Sequence, residues 1–174
     1  MNLSPVLYVE DEEDDVFLVR HAFKEAGVCH PLISVPDGEE ALEYLGGVGK
    51  YADRAGYPVP SLLLLDINMP KLSGLEVLKW LRAQREYRGL PALVLSSSSQ
   101  DADIRQAYAW GANGYLVKPS ALQQLLRIAK AIRDYWLVHN QVPAFSRDLP
   151  MAATAGAETP VLAPVLPASP VEPP

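Results

Sequence analysis

Residues 61–66, Ser-Leu-Leu-Leu-Leu-Asp, are the strongest β-strand signal in the chain. Four consecutive leucines show no alternation of apolar and polar side chains, which is typical of a strand that is covered on both faces of a sheet. The run ends abruptly in the carboxylate of Asp66, and a carboxylate at the end of a buried strand needs a partner for its charge. The stretch therefore predicts a central strand whose last residue has a chemical role.

Four other apolar runs surround this strand in the sequence, and a segment with helical spacing of apolar residues follows each of the five. The predicted strands are residues 6–10, 32–35, 61–66, 92–96 and 114–117. The predicted helices are residues 13–26, 37–45, 73–86, 100–110 and 120–138, with Asp37 and Ser120 as N-caps of the second and fifth. Five strand–helix units in sequence predict an α/β fold, a doubly wound five-stranded parallel sheet with helices on both faces.

The composition changes near residue 140. Half of the 16 prolines lie between His139 and Pro174, and four of them recur every third residue from Pro164 to Pro173. Such spacing suits a polyproline II rod that a proline-binding partner could hold, whereas a disordered tail is the simpler interpretation. We predict one domain over residues 1–139 and a Pro/Ala-rich tail over residues 140–174.

Charge and cysteine content exclude several classes of protein. The net charge is −6 and no run is rich in Lys or Arg, which argues against an unaided nucleic-acid binder; after residue 139, Arg147 is the sole basic side chain. The single cysteine excludes a disulfide framework, and no apolar run is long enough to cross a bilayer. We therefore expect a cytoplasmic protein with neither DNA nor a membrane as partner.

Polar residues follow the strands at their carboxyl ends, which is the edge where parallel sheets of this kind form their sites. These residues are Glu10 and Asp11 after the first strand, Asp66 after the third, Ser96 and Ser97 after the fourth, and Lys118 after the fifth. Three carboxylates close together repel one another unless a proton or a cation joins them, and hard oxygen ligands favour Mg²⁺ over Ca²⁺ or Zn²⁺. The set predicts in-line attack of Asp66 on phosphorus, giving an acyl phosphate that Lys118 and Ser96 would contact.

Taken singly, most of these residues have simpler explanations. The acids from Glu10 to Asp15 fit the start of a helix, Lys118 fits a solvated lysine, and Ser96 fits a polar turn. Asp66 is the exception because it ends a buried strand. The combination at successive strand ends favours a phosphoryl-accepting site over these separate explanations.

The same residues resemble the receiver domains of two-component response regulators, over roughly residues 4–138. The matching pieces are Val9-Glu10-Asp11, Asp66-Ile67-Asn68-Met69-Pro70 followed by Gly74, Ser96-Ser97, Gly111-Ala112-Asn113-Gly114-Tyr115 and Lys118-Pro119. The resemblance implies a flavodoxin-like strand order of 2-1-3-4-5 and Mg²⁺-dependent transfer of a phosphoryl group from a sensor histidine kinase to Asp66. It also implies that the protein promotes its own phosphorylation and dephosphorylation and is otherwise a signalling protein, not an enzyme.

Roles carry over by position from this resemblance. The implied metal ligands are Asp66, Asp11 directly, Glu10 through water and Asn68 through its main-chain carbonyl. The implied phosphate-binding and switch residues are Ser96, Ser97, Tyr115 and Lys118. The Lys118–Pro119 bond is expected to be cis.

A narrower resemblance to the single-domain regulators paired with bacterial phytochromes rests on the long loop before the third strand and on residues 78–81, 96–99 and 132–137. It implies a stand-alone regulator and a light-regulated kinase as phosphodonor. We expect the fourth helix, fifth strand and fifth helix to rearrange on phosphorylation. The aromatic residues predicted for a homodimer or partner surface there are Tyr108, Trp110, Tyr135 and Trp136. A well-packed helix end without a dimer is the alternative.

Three other functions are alternatives to this one. A haloacid-dehalogenase-type phosphatase needs a second aspartate two residues after the first, where this chain has Asn68. Dinucleotide binding needs a Gly-rich turn after the first strand, where this chain has Glu10-Asp11. A pseudo-receiver that is never phosphorylated stays open until the chemistry is tested.

Overall fold

The computed structural model describes residues 3–142. Its five strands are β1 (Val6–Val9), β2 (Leu32–Val35), β3 (Leu62–Leu65), β4 (Ala92–Ser96) and β5 (Gly114–Val117). All neighbouring pairs are parallel, and the sheet order is β2-β1-β3-β4-β5. The predicted parallel sheet and its strand order are confirmed.

Five α-helices alternate with the strands: α1 (Glu13–Glu25), α2 (Gly38–Gly46), α3 (Gly74–Ala83), α4 (Asp101–Ala109) and α5 (Leu122–Ala131). Short 3₁₀ turns cover Gly49–Tyr51 and Arg85–Tyr87, and a π-helical segment, Ile132–His139, continues α5. Asp37 caps α2 as predicted, since its side chain accepts a hydrogen bond from the Glu40 N–H. None of the helices among residues 3–142 is long and apolar enough to cross a membrane.

The start of α5 differs from the prediction that Ser120 would cap it. The N-cap position belongs to Ala121, whose carbonyl accepts the Leu125 N–H, and its side chain makes no capping bond. Residue 121 has an extended backbone, so the helix begins one residue later than the capping preference of serine indicates. The Lys118–Pro119 bond is also not cis, because all peptide bonds of the described residues are trans.

A trans bond at Pro119 is the intrinsically favoured state of an X–Pro bond, by about 0.5–1 kcal/mol. The Lys118 N–H donates to the Ser96 carbonyl, so the β4–β5 ladder continues up to the residue before the proline. The expectation of a cis bond was wrong for this structure. The predicted tail, apart from residues 140–142, lies outside the described residues.

Apolar side chains form one core on each face of the sheet. β1, β3 and β4 are buried along their whole length, as the unbroken apolar runs predict. One core lies beneath α2, α3 and α4, and the other lies beneath α1 and α5. On α5 and the π-helical segment that continues it, Leu125, Ala129 and Ile132 are buried in the second core, whereas Leu122 is exposed.

Strand register decides where the polar residues meet. Val9, the last residue of β1, pairs with Leu65 at the end of β3, and Leu65 pairs with Val94 in β4. The residues that follow these strands therefore emerge side by side at one edge of the sheet. That edge holds the candidate site.

Candidate functional site

Asp66 lies at the centre of this edge and is only 4% exposed. Its Oδ1 accepts hydrogen bonds from the Ser96 hydroxyl at 2.8 Å and from the Asn68 N–H at 3.0 Å. Its Oδ2 accepts one from the Lys118 ammonium at 2.6 Å. The three donors come from the end of β4, the loop after β3 and the residue after β5. The register of the sheet and the path of these segments therefore together hold the carboxylate in place.

Lys118 brings the carboxylates together. Its Nζ lies 2.5 Å from Glu10 Oε2, 2.7 Å from Asp15 Oδ2 and 2.6 Å from Asp66 Oδ2. An ammonium has three N–H donors, so these three contacts use all of them. The side chain is 13% exposed, which means that solvent screens these ion pairs far less than surface pairs.

Asp15 and Tyr8 belong to this cluster and were not predicted. The Tyr8 hydroxyl donates to Glu10 Oε2 at 2.6 Å from within the core. Tyr8 lies in β1, where all four residues are buried, and in the sequence only its hydroxyl distinguishes it from an ordinary core residue. Asp15 lies in the acidic first turn of α1, where Glu13 and Asp14 look equivalent to it in sequence.

The surroundings shift the pKa values of these groups in different directions. Burial opposes ionisation of Asp66, but the Asn68 N–H, Lys118 and Ser96 together hold its pKa below the ordinary value. For Glu10, burial outweighs the Lys118 and Tyr8 hydrogen bonds and raises the pKa. Burial works against the charge of Lys118, yet its three carboxylates raise its pKa. Asp66 is thus ionised at neutral pH and available as a nucleophile.

The predicted metal ligands divide into a buried pair and an outer pair. Glu10 and Asp66 are buried and face one cation, Lys118, whereas Asp11 is half-buried and Asn68 is exposed. Among residues 3–142 no three His, Cys, Asp or Glu side chains are arranged as a ready metal site. The donor chemistry nevertheless fits a hard divalent cation, because two carboxylates already converge on one positive charge. The ligand set stays a prediction.

The loop after β4 links Ser96 to the predicted switch aromatic, Tyr115. The Tyr115 hydroxyl donates to the Ser98 carbonyl at 3.0 Å, and the Ser98 hydroxyl donates to Asp103 at 2.5 Å. Tyr115 is half-buried, and Ser97, predicted to bind phosphate, is exposed. The backbone of this loop therefore connects Ser96 to the Tyr115 hydroxyl.

The loop after β3, residues 66–73, is held at two close contacts that the sequence did not reveal. A Cβ on Gly74 would lie 2.0 Å from the Asp66 carbonyl oxygen, and one on Gly38 would lie 2.3 Å from the Leu72 carbonyl oxygen. Lys71, with a φ of 63°, donates to Asp37 Oδ2 at 2.5 Å. The N-terminus of α2 thus fastens the loop that carries Asn68.

The four residues predicted for a partner surface differ in exposure. Tyr108 and Tyr135 are exposed, Tyr135 by 58%, and Val117, Leu122 and Val138 of β5 and the last helical segment are exposed as well. Trp136 is half-buried against the α1–α5 core and meets the Tyr135 ring edge-on at 4.9 Å. Trp110 is half-buried, with the Lys79 ammonium 5.6 Å from its ring centre. The two tyrosines therefore expose more of their side chains than the two tryptophans do.

The fold and this site are those of a phosphoryl-accepting signalling domain. The family model described as response regulator receiver domain matches residues 6–130, and the chain belongs to that family. A relative from Synechocystis, the response regulator Rcp1, is 34% identical over 80% of this chain and 92% of its own length. The probable methanogenesis regulatory protein FilR2 of Methanothrix harundinacea is 35% identical, covering 79% of this chain and 86% of its own.

Solved structures of similar proteins agree with the fold. The phosphorylated cyanobacterial phytochrome response regulator RcpA has a TM-score of 0.75 and 35% identity, covering 82% of this chain and 99% of its own. RPA3017, a response regulator in red light signaling of R. palustris, has a TM-score of 0.77 and 35% identity over 81% and 99%. The Mn²⁺-bound form of Rcp1 has a TM-score of 0.73 and 33% identity over 81% and 99%.

Proposed function

We propose that this protein is a stand-alone cytoplasmic response regulator that accepts a phosphoryl group from a sensor histidine kinase onto Asp66. The observation that carries the proposal is the setting of this carboxylate: buried, ionised, and held at both oxygens by Ser96, Asn68 and Lys118. Structural ion pairs alone do not need an aspartate that faces a hydroxyl, an amide and an ammonium together. Phosphoryl transfer does, because catalysis there consists of positioning and charge stabilisation.

In the transfer, an Asp66 carboxylate oxygen forms a bond to phosphorus while the phosphorus–nitrogen bond of the kinase phosphohistidine breaks. The electron pair of that bond stays on the imidazole nitrogen. Lys118 offers positive charge to one phosphoryl oxygen, and the Ser96 hydroxyl donates to another. The same groups would position a water molecule for hydrolysis of the acyl phosphate, which limits the lifetime of the signal.

The metal in this proposal is Mg²⁺, held by Asp66, Asp11, Glu10 and the main-chain carbonyl of Asn68. When bound, a divalent cation neutralises charge on the phosphoryl oxygens. Two observations support the ligand set: Glu10 and Asp66 already share one positive charge, and the relative Rcp1 has a Mn²⁺-bound structure. Calorimetric titration with MgCl₂ would test it, since Asp11→Asn should weaken binding at least tenfold while the exposed Asp14→Asn should not.

The kinase partner in this proposal is phytochrome-like. RcpA is described as a phytochrome response regulator and RPA3017 as part of red light signaling, and both cover about four-fifths of this chain. FilR2, which is 35% identical, is described as a probable methanogenesis regulatory protein, so a kinase unrelated to phytochrome is the alternative phosphodonor. Phosphotransfer assays against phytochrome and non-phytochrome kinases would separate the two.

The output surface in this proposal is a homodimer interface on α4, β5 and the end of α5. Exposed apolar side chains there, including Tyr108 and Tyr135, would be covered by a second copy of the chain. Tyr135→Ala is the suitable variant, since Trp136 also packs on the core and its loss would disturb the fold. Analytical ultracentrifugation should show a weaker dimer for Tyr135→Ala than for wild type. A wild type that is monomeric with and without phosphorylation would contradict this surface.

The central experiment is incubation with Mg²⁺ and acetyl phosphate, followed by intact mass. Wild type should gain one phosphoryl group, and Asp66→Asn should gain none. Asp53→Asn, in an exposed loop, is the matched control and should gain the group normally. An adduct that persists in Asp66→Asn would overturn the proposal, and a wild type that never gains one with any donor would favour a pseudo-receiver.

A further inference from the structure

Lys118 has one partner that the proposed reaction does not use. Glu10 and Asp66 have roles in that reaction, but Asp15 Oδ2 also lies 2.7 Å from the Lys118 ammonium. The two residues are 103 positions apart in sequence and come from different elements, Asp15 from α1 and Lys118 from the end of β5. The Asp15 carboxylate is 35% exposed, so it forms the outer wall of the cluster.

An acidic residue in the first turn of a helix has an ordinary explanation, because it complements the positive end of the helix dipole. Glu13 and Asp14 fit that explanation, since both are exposed. Asp15 differs from them because it holds a cation that would otherwise lie unfavourably close to that same positive end. The ion pair with Asp15 therefore stabilises the Lys118 ammonium in its position beside α1.

The requirement on Lys118 changes when a phosphoryl group arrives. The negative charge of Asp66 passes to the phosphoryl oxygens, and the ammonium must follow it while staying in the crevice. Glu10 is buried and is also a predicted metal ligand, so it is not free to serve Lys118 alone. Asp15 is not one of the predicted metal ligands, and it belongs to α1 and not to a strand end.

We propose that Asp15 is a positioning residue, which holds the Lys118 ammonium beside Asp66 so that its charge is in place for phosphoryl transfer. This inference rests on the proposed function for its kinetic consequence. The contact itself is independent of phosphorylation and can be tested without a phosphodonor.

The first test is NMR of the ¹⁵N-labelled lysine ammonium groups without metal or phosphodonor. In wild type, the three hydrogen bonds of Lys118 should slow proton exchange enough to give a resolved Nζ signal, assigned by its loss in Lys118→Met. Asp15→Asn should shift or broaden that signal, and Asp14→Asn, which removes the same charge one residue away, should leave it in place. An unchanged Lys118 signal in Asp15→Asn would overturn the inference.

The second test is a double-mutant cycle on the rate of adduct formation with acetyl phosphate and Mg²⁺. Asp15→Asn should slow the reaction by about tenfold, the order expected when one charge-assisted hydrogen bond is lost. It should cause no further slowing in the Lys118→Met background, because its effect passes through that ammonium. Asp14→Asn should match wild type.

Other outcomes of the cycle would contradict a positioning role. If Asp15 acted only through its negative charge, Asp15→Asn and Asp14→Asn would both speed the reaction with the anionic acetyl phosphate, and to the same extent. This increase in rate would not depend on the presence of Lys118. A structural effect would lower the melting temperature and slow the reaction equally in both backgrounds. If wild type forms no adduct on Asp66, the proposed function fails, while the NMR result still decides whether Asp15 holds Lys118.

Discussion

Two lysines of this protein follow strands of the same sheet and reach buried carboxylates, but their surroundings differ. Lys71, in the loop after β3, is 57% exposed and binds Asp37, with Glu39 at 3.8 Å. Lys118, after β5, is 13% exposed and binds three carboxylates. Solvent screens the first pair and leaves the second almost unscreened. The same ion-pair chemistry therefore fastens a loop in one place and holds three carboxylates together at the candidate site in the other.

The largest effect is expected from Lys118→Met, which leaves Glu10 and Asp66 buried without their cation. Removing one partner of a buried ion pair is costly, and we expect the free energy of unfolding at pH 7 to fall by about 3–5 kcal/mol. Urea denaturation without added metal measures it. A variant as stable as wild type would show that these carboxylates do not depend on Lys118.

The pH dependence of the same variant sharpens this expectation. Without Lys118, the folded-state pKa of both carboxyl groups should rise, that of Glu10 from a value that burial already raises and that of Asp66 from a value below the ordinary one. A carboxyl group whose folded pKa lies above the unfolded value stabilises the fold only in its neutral form. Stability should therefore recover relative to wild type as the pH falls from 7 to 5. A gap that stays constant over this range would mean that neither carboxyl group takes up a proton.

An intermediate effect is expected from Gly38→Ala, because Gly38 at the start of α2 packs against the loop between β3 and α3. The new methyl group would lie 2.3 Å from the Leu72 carbonyl oxygen, so the loop or α2 must shift. Overpacking of this kind costs about 1–3 kcal/mol. Gly46→Ala in the same helix is the control, since its nearest neighbour would be 4.0 Å away, and it should be neutral or stabilising. Equal effects of the two substitutions in urea denaturation would contradict the close contact.

The smallest effect is expected from Lys71→Met. Burial opposes ionisation of Asp37, but Lys71 and the amides of α2 hold its pKa below the ordinary 3.8. A depressed folded pKa contributes stability above pH 3.8, and that contribution is lost as the pH falls through the folded value. Wild type should therefore exceed Lys71→Met slightly in thermal melts at pH 7, and the gap should close below pH 4. A gap that widens in acid would show that the pair is not what lowers the Asp37 pKa.

Much of the site could be predicted because it lies at the ends of strands, which apolar runs mark clearly. Residues such as Asp66 and Ser96 stand out as polar groups directly after those runs, and the parallel order brings them together. Predictions failed where local preferences compete with tertiary contacts. Serine favours a cap, yet Ser120 does not cap α5.

The sequence by itself determined the alternation of strands and helices, the parallel sheet and the residues around Asp66, because these follow from runs and their ends. Only the tertiary structure decided which first-turn acid of α1 reaches Lys118, and that Lys71 reaches Asp37. Such choices depend on the angle of a helix over the sheet and on the path of a loop. Asp14 and Asp15 are one residue apart and chemically identical, but only Asp15 faces the crevice, since successive helical residues point about 100° apart.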